Sequence, residues 1–71
     1  MVLKNNKKLN IILSPHATFQ RWRDIGLLDR QKNYFQALDN DFDVVIYSAD
    51  PEDYSKEIGI KHIVVRHLIN H

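Results

Sequence analysis

The sequence predicts an α/β fold, in which crossover helices connect a three-stranded parallel sheet. Two observations favour this class. Three apolar segments alternate with helical patterns, an order that is typical of βαβ units. Within these segments apolar residues follow one another directly, which is typical of strands that are covered on both faces. At 71 residues the chain has room for one domain.

The three strands are predicted at residues 9–13, 42–48 and 60–66. The first ends at Ser14 and Pro15, because proline cannot donate a hydrogen bond to a neighbouring strand. The second is centred on DVVIY and the third reads IKHIVVR. All three carry apolar residues at consecutive positions, so each has apolar side chains on both faces.

The longest connection contains a predicted amphipathic helix over residues 27–38. Leu28, Phe35 and Leu38 fall on one side of it at helical spacing, and polar residues take the other side. This helix is predicted to be the crossover between the first two strands.

Gly26 leaves the start of that helix open to two interpretations, because glycine inside a helix costs about 1 kcal/mol relative to alanine. Either Gly26 interrupts a longer helix, or it lies at the start of one. The second interpretation makes Asp24 the N-cap and leaves residues 14–23 as an irregular loop. A loop near the positive end of the helix dipole is suited to holding an anion.

A short helix is predicted after Asp50 and Pro51, because aspartate at the N-cap followed by proline is a common helix start. Gly59 is its expected end. Asp50, Glu52 and Asp53 are close enough in sequence to suggest paired carboxylates. We interpret them as capping residues rather than as an acid and base pair.

The connections predict which face of the sheet is covered. If the strands lie in sequence order, right-handed crossovers place both helices on the same face. The opposite face would leave Ile12, Val45 and Val64 without cover. A bare apolar face is either an interaction site or an aggregation hazard. We therefore interpret the chain as half of a Rossmann-like domain, either truncated or completed by a partner.

Composition limits the partners. The net charge of +1 argues against nucleic acid as the main partner. The chain contains no cysteine, and a small secreted domain without disulfides is unusual, so a cytoplasmic location is expected. Nothing approaches the run of about 20 apolar residues that a transmembrane helix needs.

The ends of the chain are predicted to lie outside the domain, which spans residues 9–67. Residues 1–8 read as a flexible basic arm, with an anionic membrane surface as the alternative role. Residues 68–71 read as a short tail. The three histidines His62, His67 and His71 do not make a convincing metal site. His67 and His71 have i, i+4 spacing but no nearby carboxylate, so no metal and no cofactor is predicted.

Part of the sequence is similar to a known family. Seven residues and the segment VVIYSAD resemble the N-terminal segment of GT-B fold glycosyltransferases, in the retaining group 1 family, which commonly shows a W-x3-G-x-L-x-R-E pattern. The similarity runs from about residue 9 to about residue 65, and Gln31 replaces the usual glutamate. No glycine-rich loop follows the first strand. The seven residues are Ser14, Trp22, Gly26, Leu28, Arg30, Phe35 and Leu38.

The resemblance implies a parent enzyme that moves a hexosyl group from a nucleotide sugar to an acceptor with retention. Such enzymes hold the nucleotide sugar mainly with a C-terminal domain that these residues lack. The isolated chain is therefore expected to be inactive, and to need that domain or a homo-oligomer partner. The catalytic residues are left unassigned.

Five residues are candidates for binding the acceptor or the diphosphate. His16 follows the first strand, where ligands of open parallel sheets bind, and histidine titrates near neutral pH. Gly26, with the first amide groups of the helix, would face the diphosphate under the resemblance. Trp22 would offer a stacking surface for a sugar. Arg21 and Arg30 complete the set.

Each candidate also has a structural interpretation. Trp22 could anchor the loop to the core, and His16 could be a solvated loop residue. Arg30 could pair with Asp29 or Asp24 on a helix surface, where ion pairs contribute little.

Two other functions remain open. The chain could be a non-catalytic interaction module that dimerises or docks through its uncovered sheet face. A response-regulator-like or other flavodoxin-like domain is the third reading, but Ser14, Pro15 and His16 stand where such a domain has an acidic cluster.

Overall fold

The computed structural model describes residues 7–66 of the chain. Three strands and three helices follow one another in the order β1 (Lys7–Ile12), α1 (Phe19–Asp24), α2 (Leu28–Asp39), β2 (Phe42–Ser48), α3 (Ser55–Ile58) and β3 (Lys61–Val64). The predicted arm falls mostly, and the predicted tail wholly, outside the described residues, as do His67 and His71.

The sheet is parallel and its strands lie in the order β1-β2-β3. This confirms the predicted fold class, a half-Rossmann-like α/β unit. β2 has the predicted bounds, whereas β1 begins two residues earlier than predicted and β3 covers only the middle of its predicted segment. The backbone ladder continues past the ends of the strands, since the Leu13 amide donates to the Tyr47 carbonyl at 2.9 Å.

The first crossover contains two helices, so the prediction of an irregular loop over residues 14–23 is wrong from Phe19 onward. Asp24 is the last residue of α1 and not an N-cap. The N-cap of α2 is Leu27, which has no side-chain capping bond. Gly26 therefore separates two helices, as the first of the two interpretations expected.

Gly26 ends α1 in a Schellman motif. Its φ is +80°, in the left-handed region that glycine adopts without steric cost. The Gly26 amide donates to the Arg23 carbonyl at 3.2 Å, and the Leu27 amide donates to the Trp22 carbonyl at 2.7 Å. These are the two hydrogen bonds that define the motif.

The third helix begins later than predicted. α3 starts at Ser55, whose amide donates to Asp53 Oδ1 at 2.7 Å, and Asp50 does not cap it. The physical reason is that the Asp50 carboxylate is turned toward the amides of α1 instead. Gly59 ends α3 as predicted, with a φ of +71°.

All three helices pack on one face of the sheet. Val44 and Ile46 point from β2 into a single apolar cluster that also receives side chains from every helix. Burial of this cluster is the main stabilising contribution available to a chain without disulfides. Its other buried members are Phe19, Leu28, Phe35, Tyr54, Ile58 and Ile60.

The opposite face is only partly as predicted. Ile12 is 68% exposed, as expected for an uncovered position. The expectation is wrong for Val45, which is only 3% exposed. Val45 lies on the central strand between Asn10 and Lys61, and we attribute its burial to these longer side chains on both flanking strands.

Val64 was assigned to the wrong face. Its register partner is Ser48, which points toward the helices, so Val64 lies on the covered face. The apolar side chains that remain at least partly exposed on this face are instead Ile12, Tyr47 and Ile63, which lie side by side at one register across the three strands. We call these three residues the open-face row.

Candidate functional site

Buried polar side chains gather where the parallel strands end. Ser48 is the last residue of β2, Asp50 follows it, and His62 lies beside them on β3. All three are buried. Ligands of open α/β sheets bind at this carboxyl edge. The buried trio of Ser48, Asp50 and His62 is therefore a candidate functional site.

Asp50 holds the start of α1. Its Oδ2 accepts a hydrogen bond from the Phe19 amide at 3.0 Å, and its Oδ1 accepts one from the Gln20 amide at 2.9 Å. Thr18 Oγ1 accepts from the next amide, that of Arg21, at 3.1 Å. The amides of the first turn, which have no partner within the helix, are therefore all hydrogen bonded. Two of them bond to Asp50, which is about thirty residues away in the sequence.

The charge of Asp50 is compensated by its surroundings. A buried carboxylate is costly unless it is hydrogen bonded. Besides the two amides, Asp50 accepts a hydrogen bond from the Ser48 hydroxyl. It also lies at the positive end of the α1 dipole, where a negative charge is stabilised.

His62 completes a one-way chain of hydrogen bonds. The Tyr54 amide donates to His62 Nδ1 at 2.9 Å. Nδ1 is then unprotonated, so the neutral ring carries its hydrogen on Nε2 and donates it to Ser48 Oγ at 2.7 Å. Ser48 in turn donates to Asp50. The chain links the start of α3, β3, β2 and α1.

The trio contains the residue types of a serine hydrolase triad, but its geometry is different. In a triad the carboxylate orients the histidine at Nδ1 and the histidine accepts the serine proton. Here Nδ1 is occupied by a backbone amide, the histidine donates to the serine, and Ser48 is 0% exposed. The buried trio therefore holds loops together and is not arranged for nucleophilic attack.

Burial lowers the pKa of His62 below the ordinary histidine value, although Asp50 and Asp53 oppose the shift. His62 Nε2 lies 3.7 Å from Asp50 Oδ2, and His62 Nδ1 lies 3.8 Å from Asp53 Oδ1. The hydrogen bond from the Ser55 amide lowers the pKa of Asp53, whose side chain is exposed. His62 is thus neutral at the hub of the network.

An aromatic cluster surrounds the same network. The Phe19 ring lies 4.8 Å from the His62 ring and 5.9 Å from the Tyr54 ring, between centroids. Burial raises the pKa of Tyr54, and its hydroxyl has no hydrogen-bond partner among residues 7–66. The Arg23 guanidinium lies 5.5 Å from the centroid of the Tyr54 ring, a cation–π contact.

The five predicted site residues lie on the turn after β1, on α1, at the α1–α2 corner and on α2. His16 is exposed in the turn that follows β1, at the carboxyl edge, and Arg21 is exposed on α1. Arg30 is exposed on α2 and has no ion-pair partner within 4.0 Å in the described part of the chain. Gly26 lies in the corner between α1 and α2, and its amide is bonded to Arg23.

Trp22 is the one candidate that packs against the core. Its ring lies 5.5 Å from the Phe19 ring, edge to face, and 6.1 Å from the Phe35 ring. It remains half-buried. These contacts match the structural interpretation of Trp22 as an anchor, and they leave part of the indole accessible.

Known proteins give no guide to this site. Comparisons with models of protein families, with curated proteins and with solved structures find no match to the chain. Residues 7–66 also contain no group of three or more histidine, aspartate or glutamate side chains placed to hold a metal ion. None of the helices in this range has the length and apolar character needed to cross a membrane.

Sequence reasoning placed Ser48 at the end of the second strand, but it did not predict that Phe19 and His62 meet it there. Phe19 and Trp22 have the i, i+3 spacing of a helix, and Thr18 before them is a good N-cap. That signal was present in the sequence. The contact between Ser48 and His62 depends on the register of β2 and β3 and has no local signal.

Proposed function

We propose that this chain is the N-terminal, acceptor-side unit of a glycosyltransferase. Its parent would transfer a hexosyl group from a nucleotide sugar to an acceptor, with retention, and the donor-binding domain would lie elsewhere. The observation that carries this proposal is the one-sided sheet. Three in-order strands with all helices on one face correspond to one half of a doubly wound domain.

The open-face row supports the need for a second half. Ile12 is largely exposed, and Tyr47 and Ile63 are only partly covered. In a doubly wound domain, helices of the other half cover this face. The occupant that we propose is therefore the second half of the same Rossmann-like domain.

The residues that carry the family resemblance have a common structural role. Trp22 packs on Phe35, Gly26 adopts the positive φ of the α1–α2 corner, and Leu28 is buried at the start of α2. In this chain the W-x3-G-x-L pattern thus forms the corner between the two helices of the first crossover.

The acceptor would bind at the carboxyl edge, beside the turn that contains His16. His16 is exposed there, so its imidazole is free to donate to or accept from a hydroxyl group. Arg21 and Arg30 are exposed on the two helices of the crossover. They would supply positive charge to a ligand that spans the corner.

Transfer assays test the proposal directly. The chain is expressed alone and together with the coding sequence that follows it, and each product is incubated with a panel of nucleotide hexoses and acceptors. We expect turnover only with the longer product, because positioning both substrates needs both domains. Turnover by the chain alone contradicts its role as a partial unit. A following sequence without a donor-binding domain contradicts the glycosyltransferase.

The role of His16 has its own test in the active protein. We expect His16→Ala to lower kcat/KM for the acceptor about tenfold, the equivalent of one hydrogen bond. Asn33→Ala, an exposed change on α2, is the matched control and should leave kcat/KM unchanged. Equal values for the two variants contradict a role for His16 in acceptor binding.

A non-catalytic interaction module is the second candidate, and the open-face row favours it as well. In that case two copies would cover each other's row. Association of the isolated chain through Ile12 is expected under both candidates, because both leave the row uncovered. Sedimentation of the longer protein separates them. A longer protein that is a monomer supports the glycosyltransferase, and one that still dimerises through Ile12 supports the module.

A further inference from the structure

The hydrogen bonds around His62 leave only one place for an additional proton. The Tyr54 amide can only donate and the Asp50 carboxylate accepts. Between them His62 accepts at Nδ1 and donates at Nε2. A proton added to the ring therefore has to enter at Nδ1.

Protonation at Nδ1 removes the acceptor of the Tyr54 amide. Two N–H groups would then face each other across the 2.9 Å that now separates the two nitrogen atoms. The amide of a residue that is only 3% exposed would lose its partner. A buried donor without an acceptor is strongly disfavoured.

Carboxylates are placed to receive the protonated ring. Asp53 Oδ1 lies 3.8 Å from Nδ1, and Asp50 Oδ2 lies 3.7 Å from Nε2. Both belong to the segment 49–54, so movement of this segment can turn a carboxylate toward the charged imidazole. Protonation exchanges a neutral hydrogen bond to the backbone for an ion pair with a side chain.

The other neighbours of His62 do not provide an alternative acceptor. Ser48 on β2 is already bonded to Nε2, and α1 presents the Phe19 ring, which meets the imidazole in a T-shaped arrangement. Arg23 on α1 lies over the Tyr54 ring, 5.5 Å from its centroid. Glu52 and Glu57 act on Tyr54 by their charge.

We propose that His62 is a proton-operated latch, in which protonation of Nδ1 breaks the hydrogen bond from the Tyr54 amide and shifts segment 49–54 so that a carboxylate pairs with the charged ring. Asp50 in this segment also holds the start of α1. The latch therefore controls the carboxyl edge of the sheet as a whole. It goes beyond the proposed glycosyl transfer and does not depend on it.

The burial of His62 fits this device. Its side chain is 0% exposed, and burial lowers its pKa below the ordinary histidine value. The hydrogen bond from the Tyr54 amide is accordingly intact at neutral pH. It breaks in mild acid, at pH values below the ordinary pKa of histidine.

Nitrogen-15 NMR of the full chain tests the latch. At about pH 7.5 the ring signals should show a neutral His62 with hydrogen on Nε2. Between about pH 7.5 and about pH 5, hydrogen exchange should show the protection factor of the Tyr54 amide falling about tenfold more than that of Leu13. The Leu13 amide bonds within the sheet and does not contact His62. Equal changes at both amides, or hydrogen on Nδ1 at neutral pH, overturn the proposal.

The variant His62→Gln distinguishes the effect of protonation from the effect of the hydrogen bonds that the side chain makes. Glutamine can accept from an amide and donate to a hydroxyl but does not titrate. The pH dependence of Tyr54 protection should disappear in His62→Gln and persist in His16→Gln, which removes an exposed histidine. If His62→Gln does not fold, the two wild-type measurements still decide the question.

Discussion

At the scale of single residues, Asp50 makes the longest-range connection in the buried trio. Its carboxylate bonds two amides of α1 and the hydroxyl of Ser48. A six-residue helix is too short to be stable by itself. The position of α1, and of the turn that carries His16, thus depends on a side chain that follows β2.

Replacing Asp50 should therefore destabilise the whole chain. We expect Asp50→Asn to lower the free energy of unfolding by about 2 kcal/mol, because it removes the charge and one of the two acceptor oxygens. Urea unfolding measures the loss. Asp41→Asn is the matched control, since Asp41 is exposed in a turn, and it should change the free energy by less than about 0.5 kcal/mol. Equal effects would show that the network contributes little.

His62 contributes to the change of stability with pH. Its pKa is lowered in the folded chain, and the unfolded chain has an ordinary histidine pKa of about 6.5. Between the folded and the unfolded pKa of His62, the unfolded state binds more protons than the folded state. The free energy of unfolding therefore increases with pH in this range and decreases in acid.

The expected result is a decrease in the free energy of unfolding as the pH falls below about 6.5. The decrease should be smaller in His62→Gln than in the wild type, and unchanged in His16→Gln. Urea unfolding at several pH values measures all three slopes. A slope in His62→Gln as steep as that of the wild type would assign the acid sensitivity to other groups.

At the scale of elements, the two glycines that end helices differ in their surroundings. A Cβ on Gly26 would meet nothing within 4 Å, whereas a Cβ on Gly59 would lie 3.2 Å from Gln36 Nε2. Gln36 uses this nitrogen to donate to the Ile58 carbonyl at 2.7 Å. The end of α3 is thus held against α2 by a hydrogen bond that passes close to Gly59.

Alanine substitutions should separate the backbone effect from the contact. We expect Gly26→Ala to cost about 1 to 2 kcal/mol, the cost of a left-handed conformation alone. Gly59→Ala should cost more, because Gln36 has to move as well. In a Gln36→Ala background the cost of Gly59→Ala should fall to that of Gly26→Ala, as measured by thermal unfolding. An unchanged cost would remove Gln36 from the explanation.

The sequence was sufficient for the elements whose signal is local. Strand β2 has consecutive apolar residues, α2 has helical spacing, and both are found where predicted. Pro51 misled the prediction of α3, because the favourable helix start after Asp50 competes with the bonds that Asp50 makes to α1. Such a tertiary interaction overrides local preference and cannot be read from neighbouring residues.

The same distinction holds for the candidate site. His16 was correctly placed at the end of the first strand, because proline limits that strand. The buried trio could not be predicted, because Ser48 and His62 meet only through the register between β2 and β3. Val64 was assigned to the wrong face for the same reason, since shifting a strand by one residue reverses its faces.

At the scale of the whole molecule, the two faces of the sheet differ in how they are covered. One face packs under three helices and contains the core. The other presents the open-face row at its carboxyl end and Lys8 beside Asp43 at its amino end. The proposal of a partial catalytic unit depends on this apolar row being covered in the working protein.

Association of the isolated chain tests that claim most directly. Sedimentation and binding of a hydrophobic dye are measured for the wild type, for Ile12→Lys and for Ile25→Lys. Ile25 is 55% exposed at the end of α1, away from the open face, and so is the matched control. We predict that the wild type and Ile25→Lys associate and bind the dye, and that Ile12→Lys does neither while remaining folded. The contrary result is a wild-type chain that stays monomeric, does not bind the dye and cannot be distinguished from Ile12→Lys. It would contradict the claim that this face is uncovered in the isolated chain and is covered by a second half of the domain.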